Sequence, residues 1–179
     1  MNLTKSNDLS KGKILALSDS PTTCTGFATI CSNIMTGMVE KNWEVNYMGH
    51  NYLGQDLVPP ITFEDGRTLN FKLQGAGREQ YCKDMIVPRI NKFNPDVFFI
   101  QLDTFMVFPW FMDLPLNRTR SVFYFPSDGA GGMPLGCENI LKKVNMPVAM
   151  AKFGQKQVKD LYNIDSEYIP HAIDEKNYY

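Results

Sequence analysis

Several features that would declare a chemistry outright are missing from this chain. Histidine occurs twice and cysteine four times in 179 residues. No two cysteines form a C-x-x-C pair, so there is no zinc pattern, and a reduced, cytoplasmic setting is the expectation. Lysine and arginine number 18 against 19 acids, for a net charge of −1. They are scattered without a basic run, which leaves no footprint for nucleic acid. No stretch reaches the roughly 20 apolar residues a membrane span needs. The greasiest segment, Val97 to Leu116, is interrupted by Gln101, Asp103, Pro109 and Asp113. Its aromatics (Phe105, Phe108, Trp110, Phe111) are expected in the core, with peripheral membrane or lipid contact as the alternative.

The common nucleotide signatures are also lacking. There is no G-x-x-x-x-G-K-[ST] loop, and Gly75-Ala-Gly77 fails the dinucleotide pattern because Gln80 stands where the third glycine belongs. The loop at 19–26 also lacks a phosphate signature, which counts against a flavodoxin-like nucleotide or flavin protein. No Ser-His-Asp order or Cys-His pairing points to hydrolysis. Repeats, low-complexity tracts and internal linkers are absent as well.

What remains is an ordinary globular composition, 44% hydrophobic and 21% charged, enough for one large domain. Residues 1–12 have no apolar core and read as a flexible lead-in rather than a signal peptide. Lys13 to Ser18 is a continuous apolar run, as in a buried parallel strand. Phe27, Ile30, Cys31, Ile34, Met35, Met38 and Val39 then recur at helical spacing. Trp43 to Met48 predicts a second strand and completes a βαβ unit.

Ile61 to Phe63 and Thr68 to Leu73, joined through Asp65-Gly66, predict a hairpin. Arg78 to Phe93 has helical spacing, with Pro88 as a candidate kink. Further strands are expected at 97–102, 121–125, 147–151 and 167–169, with helices over 138–144 and 153–162. The fold class is therefore α/β: a Rossmann-like, doubly wound, mostly parallel sheet over 13–179 with a small hairpin insertion.

In such a sheet, ligands bind beyond the carboxyl ends of the strands. Thr25 and Gly26 stand at the mouth of the first helix, where free N–H groups can hold a phosphate or hydroxyl. A plain cap and tight turn explain them equally well. Ser127, Asp128 and Gly129 open a glycine-rich loop after an apolar strand. That loop can wrap a ligand with backbone N–H groups, and Asp128 can serve as a base. Its alternative is a surface turn. Asp103 either joins the same rim or caps the helix that follows it. With Asp128 it is a weak metal candidate, since no D-x-D spacing supports the pair. His50 after the second strand and His171 in the terminal turn are binding candidates with a structural alternative.

Four segments together resemble the N-terminal lobe of family 4 (retaining) GT-B glycosyltransferases. Lys13-Ile-Leu-Ala-Leu-Ser-Asp…Thr25-Gly26 followed by Lys41-Asn-Trp-Glu-Val45 is similar to their opening. Asn94-Pro-Asp-Val-Phe-Phe-Ile-Gln101 is similar to their K-P-D-V-V strand, and Ala149 to Val158 to a later strand and helix. Tyr168-Ile-Pro-His-Ala-Ile-Asp174 resembles the interdomain segment. The resemblance implies an acceptor-binding lobe acting on a nucleotide-sugar donor, with no separate cofactor. Gly26 would lie near the donor diphosphate. Most of the donor site would belong to a C-terminal lobe or a partner subunit, and this chain alone would be inactive. Asn42-Trp43 replaces the usual Gly-His, and His171 the usual Asn. A stand-alone Rossmann-like module, with an exposed apolar patch near its C-terminus, is the rival expectation.

Overall fold

A computed structural model describes residues 10–129 and 132–172. Residues 1–9 of the lead-in, Ala130 and Gly131 of the glycine-rich loop, and the end of the closing motif from Ile173 lie outside them.

Seven parallel strands form the main sheet: β1 (Lys13–Ser18), β2 (Glu44–Gly49), β5 (Lys72–Gln74), β6 (Val97–Ile100), β7 (Arg120–Phe125), β8 (Met146–Ala149) and β9 (Glu167–Tyr168). Their spatial order is β5-β2-β1-β6-β7-β8-β9. The chain winds outward from β1 in one direction, then restarts beside β1 and winds the other way. This is the doubly wound arrangement, and its switch point lies between β1 and β6.

The helices follow from right-handed crossovers. Helix α1 (Gly26–Glu40) packs Cys31 and Met35 on one face of the sheet, against Ile14, Ala16 and Tyr47. Helices α2 (Lys83–Phe93), α3 (Thr104–Phe111), α4 (Cys137–Lys143) and α5 (Lys152–Tyr162) share the other face. There Ile86, Val107, Ile140 and Val158 meet Leu15, Leu17, Phe98, Ile100, Phe123 and Phe125. Helix α3 places Trp110 and Phe111 in the core and leaves Phe105 half exposed. None of the described helices is long and apolar enough to cross a membrane.

This winding leaves β6, β7 and β8 without a described helix on the α1 side. An apolar groove of 420 Å³ runs there, floored by Val97, Phe99, Val122, Tyr124 and Val148 and walled by Met38 of α1 and Ile169.

Two elements differ from the sequence expectation. The hairpin is only β3 (Ile61–Thr62) against β4 (Thr68–Leu69), and Lys72–Gln74 leaves it to pair in parallel with β2. Burial is the reason: Phe71 stacks on Tyr47 with ring centroids 5.5 Å apart, and Leu73 is wholly enclosed. The helix expected from Arg78 begins at Lys83, because Tyr81 and Cys82 take positive φ (55° and 62°). The Asp84 carboxylate ties the preceding loop by accepting from Arg78 N at 3.0 Å and Glu79 N at 3.3 Å. Pro88 is tolerated inside α2, which continues to Phe93.

Candidate functional site

The rim beyond β1, β2, β6 and β7 gathers most of the polar groups picked out above. Ser18 pairs with Gly49 at the ends of β1 and β2. The next residue on each strand is therefore Asp19 and His50, side by side. His50 Nε2 lies 2.6 Å from Asp19 Oδ1, and each side chain is 14% exposed. Thr25 Oγ1 donates to Asp19 Oδ2 at 2.5 Å while accepting from Ala28 N at 3.1 Å. Thr25 thus caps α1 and braces Asp19 at once.

The backbone of Asp19 is fixed as well, since Tyr47 Oη donates to its carbonyl at 2.6 Å. Ser20 N donates to Asn51 Oδ1 at 2.6 Å, locking the two loops together. Gly49 permits that approach: a Cβ there would stand 2.7 Å from Ser20 Cβ. The His50 bond, the largest influence, and the Thr25 bond together hold the Asp19 carboxyl below the usual range against the opposing effect of burial.

Asp103 stands at the end of β6, across the switch point. It occupies the N-cap position of α3, yet its side chain makes no capping bond. Its carboxyl is pushed up, first by burial and then by the charges of Asp128 and Asp19. Asp103 therefore lies within electrostatic reach of both Asp128 and Asp19. Gln101, two residues earlier, is fully buried with both amide atoms unpartnered among the described residues.

Asp128 is exposed at the start of its loop. Beside it, Ser127 Oγ donates to Gln157 Oε1, and Gln157 Nε2 donates to Gly129 O at 2.7 Å. The Ser127 hydroxyl is thus spent on tethering the loop to α5. Gly26 is the exposed first residue of α1, and a Cβ there would meet nothing within 4 Å. Neither packing nor a positive φ demands glycine at that position, which leaves the backbone open to a ligand.

His171 is placed apart from this group. Its ring meets Tyr124 edge-on at 5.6 Å, and Tyr124 Oη donates to Ile169 O at 2.8 Å, beside the apolar groove.

Two contributors were not visible as site residues in the sequence. Asp19 could have been found by setting the ends of two adjacent parallel strands in register. Tyr81 could not, because no sequence pattern records the positive φ of 55° that it adopts. Its ring lies 5.9 Å from His50 and 6.4 Å from Phe105, making an aromatic wall beside the imidazole.

Chemically, the rim offers carboxylate acceptors, an oriented imidazole and aromatic faces. No group of three or more His, Cys, Asp or Glu among the described residues is arranged to hold a metal ion. The thiols of Cys31, Cys82 and Cys137 are buried and pushed up to about 12 by that burial, so they are poor nucleophiles. In comparisons with known proteins, the chain matches no family model and no curated protein sequence.

Proposed function

We propose that this chain is the acceptor-side lobe of a GT-B-type glycosyltransferase, working in the cytoplasm on a nucleotide-sugar donor. One observation carries the reading: Asp103 lies in electrostatic reach of Asp19 and Asp128 across the strand ends, and Asp19 is bonded to His50, which meets the Tyr81–Phe105 ring pair. Carboxylates accept hydrogen bonds from hydroxyls and repel phosphates, while aromatic rings pack on the apolar face of a sugar ring. That combination suits a neutral polyhydroxyl acceptor.

Asp128, the most exposed of the three, is assigned to take up the acceptor's proton. His50, oriented by Asp19, and Asp103 bind neighbouring hydroxyls. Gly26 and Gly129 leave room for the ligand against the backbone. The acidic rim is ill-suited to steady a diphosphate leaving group, so that support must come from a second lobe. The chain alone is accordingly expected to show no turnover.

The test is saturation-transfer NMR of the chain against a panel of mono- and disaccharides and nucleoside diphosphates. Sugar binding that His50→Ala and Asp103→Ala weaken supports the reading. Binding of nucleoside diphosphates without any sugar sinks it. A second reading, a binding module paired with a separate subunit, is favoured by the bare apolar groove over β6–β8. Size-exclusion chromatography of the protein from its own cells separates the two: co-elution with a second polypeptide favours the module.

A further inference from the structure

A different chemistry occupies the far edge of the sheet. Between α2 and the edge strand β5 lies a cleft of 140 Å³, lined by Asn46, Lys72, Gln74, Arg89, Lys92 and Phe93. Three of those six side chains are cationic. Arg89 is 8% exposed and spends one guanidinium nitrogen on protein acceptors, with Nη2 donating to Asp56 Oδ1 at 3.2 Å and Gly75 O at 3.0 Å. Its Nε and Nη1 are buried and find no acceptor among the described residues.

Asp56 cannot fill them. Its Oδ1 also takes Gly75 N at 3.2 Å, and its Oδ2 takes Gln74 Nε2 at 3.4 Å and faces Lys72 Nζ at 3.4 Å. One carboxylate thus serves two of the three cations, and the third, Lys92, has no ion pair among the described residues. A buried, charged donor without an acceptor is costly to leave unmade. A planar guanidinium flanked by ammonium groups is the usual cradle of a tetrahedral oxyanion.

We propose that this cleft binds the phosphate group of a small metabolite, with Arg89 as the buried anchor and Lys72 and Lys92 closing over it. The phosphate sits against Arg89, and Asn46 and Gln74, whose Oε1 has no partner among the described residues, line the rest of the cleft. The site belongs to the β5 edge, two strands from the β1–β6 switch point, or about 10 Å at ordinary strand spacing. It is independent of the glycosyltransferase reading.

The experiment is a titration of the full chain with inorganic phosphate and with glycerol phosphate, at ionic strength held constant with sodium chloride, followed by amide chemical shifts. Saturable shifts at Lys72, Gln74 and Lys92 are expected. Lys92→Met, at an exposed position that leaves the fold intact, should weaken binding by about three- to fivefold. Arg89→Lys, which keeps the charge and removes the planar fork, should weaken it more. Tighter binding of the inorganic ion identifies free phosphate as the ligand; tighter glycerol phosphate identifies a monoester. Shifts that stay linear, that chloride reproduces, or that Lys92→Met leaves unchanged overturn the proposal.

Discussion

Replacing Asp19 with asparagine removes one charge and almost no volume, so its effect isolates the electrostatics of the rim. The carboxylate accepts from two sides at once, with His50 Nε2 at 2.6 Å and Thr25 Oγ1 at 2.5 Å. An asparagine offers one neutral oxygen and one NH₂, so the charge-assisted character of both contacts is lost, and one of them survives only if His50 changes tautomer or the Thr25 hydroxyl turns to accept. A hydrogen bond to a charged group contributes about 1.5–3 kcal/mol. Removing the charge also relieves repulsion with Asp103, which acts over a longer, partly solvated path and is worth a few tenths of a kcal/mol, by analogy with exposed pairs. The bond term wins. The net loss should be about 1.5 kcal/mol, or about 3–6 °C in Tm for a chain of this length.

The pH dependence fixes the origin of that loss. The folded-state carboxyl of Asp19 is lowered, so its contribution is full above the ordinary carboxylate range. It disappears as pH falls through the lowered value. Thermal melts followed by circular dichroism should therefore show a gap between the parent and D19N at pH 6 that closes in acid. A double-mutant cycle with His50→Ala should return a coupling of about 1 kcal/mol. D19N as stable as the parent at pH 6, or a gap that persists unchanged into acid, would refute the reasoning.

Asp103→Asn acts in the opposite direction. Burial and two neighbouring acids raise that carboxyl, so the penalty is full where the folded group is ionised and vanishes below the unfolded value. Urea unfolding should show a gain of up to about 0.5 kcal/mol at pH 7 and none near pH 3. Gly136→Ala meets two obstacles: φ is +83°, and the new Cβ would stand 2.2 Å from Phe108 Cδ2. The left-handed backbone and a displaced, partly buried Phe108 ring should cost about 2–4 kcal/mol, read as a fall in the urea midpoint at unchanged slope. Tyr124→Phe removes the bond to Ile169 O. It should cost about 1 kcal/mol and speed amide exchange at Ile169, whose N–H otherwise donates to Ala149 O at 3.1 Å.

The parts of the fold that could be read from the chain are those governed by local pattern. The apolar spacing from Phe27 to Val39, with Thr25 before it, marks α1 to within a residue or two, and the greasy runs mark β1, β6 and β7. The β4–β5 break was hidden because Leu69, Phe71 and Leu73 alternate without interruption. The break comes from Phe71 stacking on Tyr47 of another strand, which no local pattern records. The start of α2 was hidden in the same way: apolar spacing runs back to Tyr81, while positive φ at Tyr81 and Cys82 ends the helix. At the rim, His50 and Asp103 were recognisable as residues that follow strands. Asp19 needed the register of two strands, and the absence of a cap bond from Asp103 needed coordinates.

The register of β1 against β2 carries a practical corollary. Asp19, Thr25 and His50 all fall within one contiguous βαβ stretch, residues 13–50, whereas Asp103 and Asp128 are delivered by later strands. Cleaving the chain at the Asp65-Gly66 turn, outside the main sheet, would leave that stretch uncut. A chain nicked there should keep the Asp19–His50 bond. Inserting a single residue in the middle of β2, by contrast, shifts every side chain beyond it to the opposite face. His50 is then carried away from its partner while the hydrophobic composition stays untouched.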